Sequence, residues 1–240
     1  MAEFLETSVK TIDDDETLLE KGVVRHVIFK NCEGKTSLLE ELKLTSIKEV
    51  SPFNMAAEDG EYAFYKNLKE DVEIVDGIVK TITERCKGPI ERHFVDKMED
   101  IVLDDVFCIN YTMEHADSRV QRHKDPSDIT VNINLERSED MEGSQVLFYG
   151  TKRLKGVGVE GGVRENVQQE EENVENVEVE GGGEDERFKV DTKLGCVTIH
   201  RGDHPHEVTS LSKGERTNIV MTFVYVDKSK SSANFSGLYE

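Results

Sequence analysis

The sequence predicts an α+β fold, with helices before about residue 100 buttressing an antiparallel sheet formed by the rest. Two observations carry this. Between Asp71 and Lys87, the residues Val72, Ile74, Val75, Ile78, Val79, Ile82 and Cys86 recur at three- and four-residue steps. That is the period of a helix with one apolar face. Between Ile129 and Leu135 the pattern alternates instead. Ile129, Val131, Ile133 and Leu135 share one face, and Thr130, Asn132 and Asn134 the other, as in a strand. Helical period first and strand period later argues for α+β over an alternating α/β order.

Taken in order, residues 1–22 are acidic and mixed and read as a flexible arm. Gly22-Val-Val-Arg-His-Val-Ile-Phe29 is dense in β-branched residues and reads as a strand. Residues 36–47 and 56–69 carry helix formers with apolar spacing. Segment 23–99 is therefore expected to be mainly a helical support region of the same domain. Gly88-Pro89 is expected to end the Asp71–Lys87 helix. Strands are expected at Val102–Tyr111, Ile129–Leu135, Gln145–Tyr149, Lys193–His200 and Asn218–Val226. They place the sheet in 100–227 and leave 228–240 as a tail. Segment 155–187 interrupts them with Gly, Glu, Val and Asn in near-repeats, and reads as a disordered acidic insert. It is either a loop that holds a basic partner or shields a site mouth, or a tolerated surface expansion.

A chain of 240 residues suffices for one well-cored domain. Its net charge of -20 repels phosphate backbones, so direct nucleic-acid binding is not expected. The charge suits a small-molecule substrate or a basic protein partner, and equally plain solubility. No run of about 18 apolar residues occurs, so no membrane helix is expected. The start, Met1-Ala-Glu-Phe-Leu-Glu6, is acidic, unlike a signal or transit peptide. Cys32, Cys86, Cys108 and Cys196 lie far apart with no CxxC pair. Free thiols and an intracellular setting, cytoplasmic or nuclear, are expected.

The chemistry-bearing residues are His123-Lys-Asp125, then His206 and Arg216 far downstream. Side chains two apart on an extended segment point the same way, so His123 and Asp125 can reach one ion. Two histidines and one carboxylate can hold one face of a ferrous ion and leave the other open. His206 follows a turn in His200-Arg-Gly-Asp-His-Pro-His206, and His204 is an alternative ligand whose spacing to Arg216 fits worse. His200 reads as a residue beside the turn. Arg216, Asn218, Val220 and Thr222 share parity on the last strand. Arg216 would face the same interior as His206 if their strands are neighbours. Its guanidinium fork suits a carboxylate.

This ordered set resembles the Fe(II)/2-oxoglutarate-dependent dioxygenases, and among them the prolyl 4-hydroxylase-like branch. The family runs from a tyrosine to H-x-D, a T-x-N-x-x-L strand, a glycine-led F-x-G strand, H-x-G-x-x-x-H and a G-x-R turn. Here these read Tyr111, His123-Lys124-Asp125, Thr130 to Leu135, Gly143 to Gly150 with Phe148, His200-Arg-Gly202 to His206, and Gly214-Glu-Arg216. The likeness covers roughly residues 100–227. One departure is Gly143-Ser144, where the family has Gly-Gly.

The resemblance implies a double-stranded β-helix, or jelly roll, with a metal in its mouth. It implies that His123, Asp125 and His206 bind Fe(II), and that Arg216 holds 2-oxoglutarate. Tyr111 is expected to hydrogen-bond that co-substrate. Thr130, Asn132 and Thr222 are expected to line the same pocket. The implied reaction consumes O2, releases succinate and CO2 and hydroxylates a C–H bond, with ascorbate in support. A protein side chain, proline or lysine, is the leading substrate. The alternatives are a catalytically silent jelly-roll scaffold using its acidic insert, or a metal cupin that uses no 2-oxo acid. The oligomeric state is not legible in the sequence.

Overall fold

A computed structural model describes residues 9–48, 64–113, 119–155 and 186–233. In chain order the first strands are β1 (Lys10–Ile12), β2 (Val23–Val27), β3 (Phe64–Asn67), β4 (Ile101–Thr112), β5 (Val120–His123) and β6 (Ile129–Arg137). There follow β7 (Glu142–Gly143), β8 (Val146–Tyr149), β9 (Arg187–Val190), β10 (Cys196–Arg201), β11 (His206–Val208), β12 (Leu211–Lys213) and β13 (Glu215–Tyr225). The α-helices are α1 (Asp15–Glu20), α2 (Val72–Ile74) and α3 (Lys80–His93). A single π-helical turn, Val75–Val79, joins α2 to α3.

Two main sheets form a jelly roll. The larger has the order β2-β10-β6-β13-β4-β3, and the smaller β1-β9-β8-β11-β5. Strand β6 explains why two cores arise. Its Ile129, Val131, Ile133 and Leu135 face the helices and pack with Ile82, Cys86 and Ile90. The opposite face of the larger sheet looks into the roll. There Val23 and Tyr111 meet Val146, Phe148, Phe188 and Val190 of the smaller sheet. The α+β jelly roll expected from the sequence is therefore the observed fold.

Several local expectations differ. The helix does not stop at Gly88-Pro89; α3 runs to His93 with Pro89 inside it. Pro89 forfeits one backbone bond at a cost of about 3 kcal/mol or more. Continuing the helix buries Ile90 and then Phe94 and Val95, at roughly 1.5–3 kcal/mol for each large apolar side chain. Burial wins. Val72, counted on the apolar face, is 69% exposed.

Residues 36–47 do not form one continuous helix; only a short 3-10 helix, Thr45–Lys48, occurs there. Leu38 N donates to Leu135 O at 2.8 Å, and Arg137 N donates to Thr36 O at 2.7 Å. These backbone groups pair with the end of β6 and cannot also serve a helical ladder. The apolar spacing still buries Leu38, Leu39, Leu44 and Ile47. In the expected helix 56–69, residues 56–63 lie outside the described residues, whereas Phe64–Asn67 is an edge strand on β4.

The start of the chain is also more ordered than a flexible arm. Residues 1–8 lie outside the described residues, but β1 pairs in parallel with β9. Helix α1 is capped by Asp14, whose carboxylate accepts from Thr17 N at 2.7 Å. Of the expected insert 155–187, residues 156–185 lie outside the described residues. Its flanks are the antiparallel partners β8 and β9, so it joins two strands that pair with each other. All four cysteines are free. No helix among the described residues is long and apolar enough to cross a membrane.

Candidate metal centre

His123 ends β5 and His206 begins β11, and the two are direct partners across the antiparallel pair. Their ring centroids lie 4.3 Å apart. Asp125 follows in the turn after β5. Its Oδ1 is 3.4 Å from His123 Nε2 and 3.8 Å from His206 Nε2. One ligand atom from each of the three falls within 4.8 Å of the others. The expected triad thus converges in space.

Backbone carbonyls orient both imidazoles. His123 Nδ1 lies 2.7 Å from Gln121 O, and His206 Nδ1 lies 2.9 Å from His204 O. A carbonyl only accepts, so each Nδ1 donates and each Nε2 keeps its lone pair for an ion. His204 lines up differently. It is fully buried against Phe148 and is outside the cluster of potential ligands. His206 is the better donor of the two.

Two turns are stitched together beneath the site. Asp125 N donates to Gly202 O at 2.8 Å, and Gly202 N donates to Asp128 O at 3.2 Å. The carboxylate of Asp128 accepts from Tyr225 N, Ser232 N and the Ser231 hydroxyl. The segment after β13 is thereby fastened to the turn that carries Asp125. None of this is visible in residue spacing.

Charge follows geometry. Burial pushes the His206 imidazole down to about 3, so it is neutral and able to ligate at pH 7. Burial alone would raise the Asp125 carboxyl, but the facing imidazoles hold it well below the usual carboxylate range. For His123, burial lowers the value, yet the hydrogen bond to Asp125 prevails and raises it. His200 and His204 are pushed down by burial.

A pH dependence follows. The unfolded chain binds protons on these histidines near pH 6.5, whereas native His206 resists protonation until about pH 3. The stability associated with neutral His206 is present above pH 6.5 and is lost as pH falls through this window. The raised His123 opposes this in part. Urea midpoints of the metal-free chain are expected to fall from pH 6.5 to 5, less steeply in His206→Gln. Equal midpoints across that range in the parent would contradict the assignment.

Arg216 reaches the interior from β13 in the larger sheet, whereas His206 lies in the smaller one. The two strands are not neighbours, as the sequence reading required; the residues approach the interior from opposite sheets. Arg216 is 0% exposed. Its Nη1 donates to Thr192 Oγ1 at 3.3 Å, but Nε and Nη2 have no partner among the described residues. Asp191, the nearby acid, is bound to Arg137 at 2.5 Å. Tyr111 is the cross-strand partner of Arg216. Its ring centroid lies 4.5 Å from the guanidinium carbon, a cation–π contact.

The remaining expected pocket residues have other partners. The Thr130 hydroxyl donates to Asp125 Oδ2. The Asn132 side-chain oxygen accepts from Asn218 Nδ2. Thr222 Oγ1 accepts from Asp105 N at 3.1 Å, at the irregularity between β13 and β4. Thr192 was missed, because a threonine before a strand carries no signal of its own.

No protein-family model and no curated protein sequence matches the chain. Solved structures do match. An oxidoreductase of the 2OG-Fe(II) oxygenase family from Burkholderia pseudomallei is 14% identical, with 88% of this chain and 87% of that one covered at a TM-score of 0.51. The fold is that of the 2OG-Fe(II) oxygenases. A Pseudomonas putida prolyl-4-hydroxylase shares this oxygenase fold at 14% identity and a TM-score of 0.50, covering 87% of this chain and 96% of that one. HygX from Streptomyces hygroscopicus, solved with nickel and 2-oxoglutarate bound, is 12% identical at a TM-score of 0.54, covering 90% and 88%. The oxygenase fold thus joins proteins far apart in sequence.

Proposed function

We propose that this chain is an Fe(II)- and 2-oxoglutarate-dependent oxygenase that hydroxylates a C–H bond and releases succinate and CO2. One observation carries the reading. A fully buried guanidinium, two of whose nitrogens have no hydrogen-bond partner among the described residues, faces the interior that also holds a His-Asp-His cluster. A buried cation without a counter-charge is costly, and a carboxylate supplies two matching acceptors. The donor set fits the metal equally well, with two imidazole nitrogens and one carboxylate oxygen.

In this reading His123, Asp125 and His206 hold the ferrous ion, and Arg216 takes the distal carboxylate of 2-oxoglutarate. Tyr111 supports the guanidinium from below. A ferrous ion there, with the 2-oxo acid and O2, supplies the oxidising power. The protein's part is binding, orientation and exclusion of water. Phe148 packs against His200, His204 and His206 and keeps that wall of the site apolar.

The substrate we put forward is a protein side chain of the prolyl or lysyl type. The shared fold of the Pseudomonas putida prolyl-4-hydroxylase supports it, as does the net charge of -20, which favours a basic peptide. The test is succinate formation from 2-oxoglutarate under air, with Fe(II) and ascorbate. Loss of turnover in His123→Ala is the expected result. A metal-loaded chain that fails to bind 2-oxoglutarate would instead favour the scaffold reading.

A further inference from the structure

The two oxygens of Asp125 have different surroundings. Oδ1 faces His123 and His206. Oδ2 accepts a hydrogen bond from the Thr130 hydroxyl at 2.5 Å, and His200 Nε2 lies 4.0 Å away. Behind Thr130, its Oγ1 lies 3.1 Å from Ser127 Oγ. A hydroxyl has one proton to give. Thr130 donates its one hydrogen bond to the carboxylate, so Ser127 must be the donor to Thr130. The result is a one-way relay, Ser127 to Thr130 to Asp125, between side chains that are 0% and 2% exposed at its first two members.

Backbone geometry fixes the relay. Thr130 lies on β6 directly opposite His200 of β10 and Thr222 of β13. It therefore sits mid-sheet and cannot drift. We propose that Thr130, oriented by Ser127, is a positioning residue that holds Asp125 Oδ2 away from the metal. Asp125 then offers one oxygen, and the protein supplies three ligand atoms. The role differs from the co-substrate contact that the position of Thr130 in the sequence suggested. It rests on the triad being the metal site.

The test uses the full-length chain and Mn(II). Affinity for Mn(II) is measured by calorimetry for the parent and for Thr130→Val, Thr130→Ser, Ser127→Ala and His123→Ala. Dissociation constants for 2-oxoglutarate are then measured at saturating Mn(II). Thr130→Val keeps the shape and removes the proton, so Mn(II) binding is expected to weaken about 10- to 100-fold. Thr130→Ser should restore it to within a few-fold of the parent, and Ser127→Ala should fall between. The 2-oxoglutarate constant should hardly move.

Parent-like Mn(II) affinity in Thr130→Val, with binding abolished in His123→Ala, overturns this proposal alone. So does a weakened 2-oxoglutarate constant with metal affinity intact, which returns Thr130 to the co-substrate pocket. Parent-like binding in His123→Ala overturns both this proposal and the metal-site reading. Should Thr130→Val fail to fold, Ser127→Ala and Thr130→Ser decide: parent-like affinity in Ser127→Ala overturns the relay.

Discussion

Arg216→Met is expected to make the metal-free chain melt at a higher temperature while destroying its response to 2-oxoglutarate. The two effects have one cause. The guanidinium is 0% exposed, and two of its nitrogens, Nε and Nη2, have no hydrogen-bond partner among the described residues. Burial lowers its pKa, although Tyr111 pulls the other way. The ring contact and the single bond to Thr192 offset only part of the desolvation cost. An apolar side chain of similar length removes that cost. A gain of about 1 kcal/mol would raise the melting temperature of a chain this size by roughly 2–4 °C.

The loss on the ligand side is larger. Truncating one member of a buried, hydrogen-bonded charge pair costs about 2–5 kcal/mol. That is roughly a 30-fold or greater loss of affinity for 2-oxoglutarate. Arg216→Lys keeps the charge but not the fork, and should fall between. Thermal shift with and without 2-oxoglutarate reads both effects together. An unchanged 2-oxoglutarate affinity in Arg216→Met would remove Arg216 from the co-substrate site.

Gly202→Ala should damage stability and metal binding together. A Cβ there would lie 1.9 Å from Ser127 O and 2.5 Å from Ser127 Oγ. The nearest obstacle is backbone, which cannot rotate away. The turn holding Gly202 and the turn after Asp125 would have to separate. That breaks the bonds from Asp125 N to Gly202 O and from Gly202 N to Asp128 O. Overpacking of this kind costs about 1–3 kcal/mol, occasionally more.

Because Asp125 and His206 flank those two turns, separation also pulls the ligands apart. Mn(II) affinity should drop at least about tenfold, as for loss of an orienting contact. Gly88→Ala is the comparison: its chain neighbours and its own helix backbone aside, nothing lies within 4 Å of its added Cβ. It lies inside α3 directly before Pro89, whose ring crowds a preceding Cβ and opposes the usual helix preference of alanine over glycine, about 0.8–1 kcal/mol. The prediction is that Gly202→Ala destabilises markedly more than Gly88→Ala. Wild-type metal affinity in Gly202→Ala would show that the contact between the two turns does not position the ligands.

The legible part of the structure was whatever repeats along the chain. Strand β6 announced itself by alternation, because one face meets an apolar core and the other the polar interior. The His123, Asp125 and His206 cluster was legible as a candidate because a metal site needs rare donor types, and few placements of them make sense. Spacing misled where another force outweighed local preference. Residues 36–47 have helical spacing, but their backbone pairs with β6. Pro89 reads as a stop, but the burial of Ile90 carries α3 past it.

By itself, then, the sequence determined the α+β class, most of the buried face of its two periodic elements and the candidate donor residues. These depend on side-chain type and on period, which are local. Only the tertiary structure decided that Arg216 reaches the interior from the sheet opposite His206, that Tyr111 lies beneath it, and that Thr130 points its proton at Asp125. These depend on register between strands distant in the chain. A shift of one residue in that register would turn the same side chains to the other face.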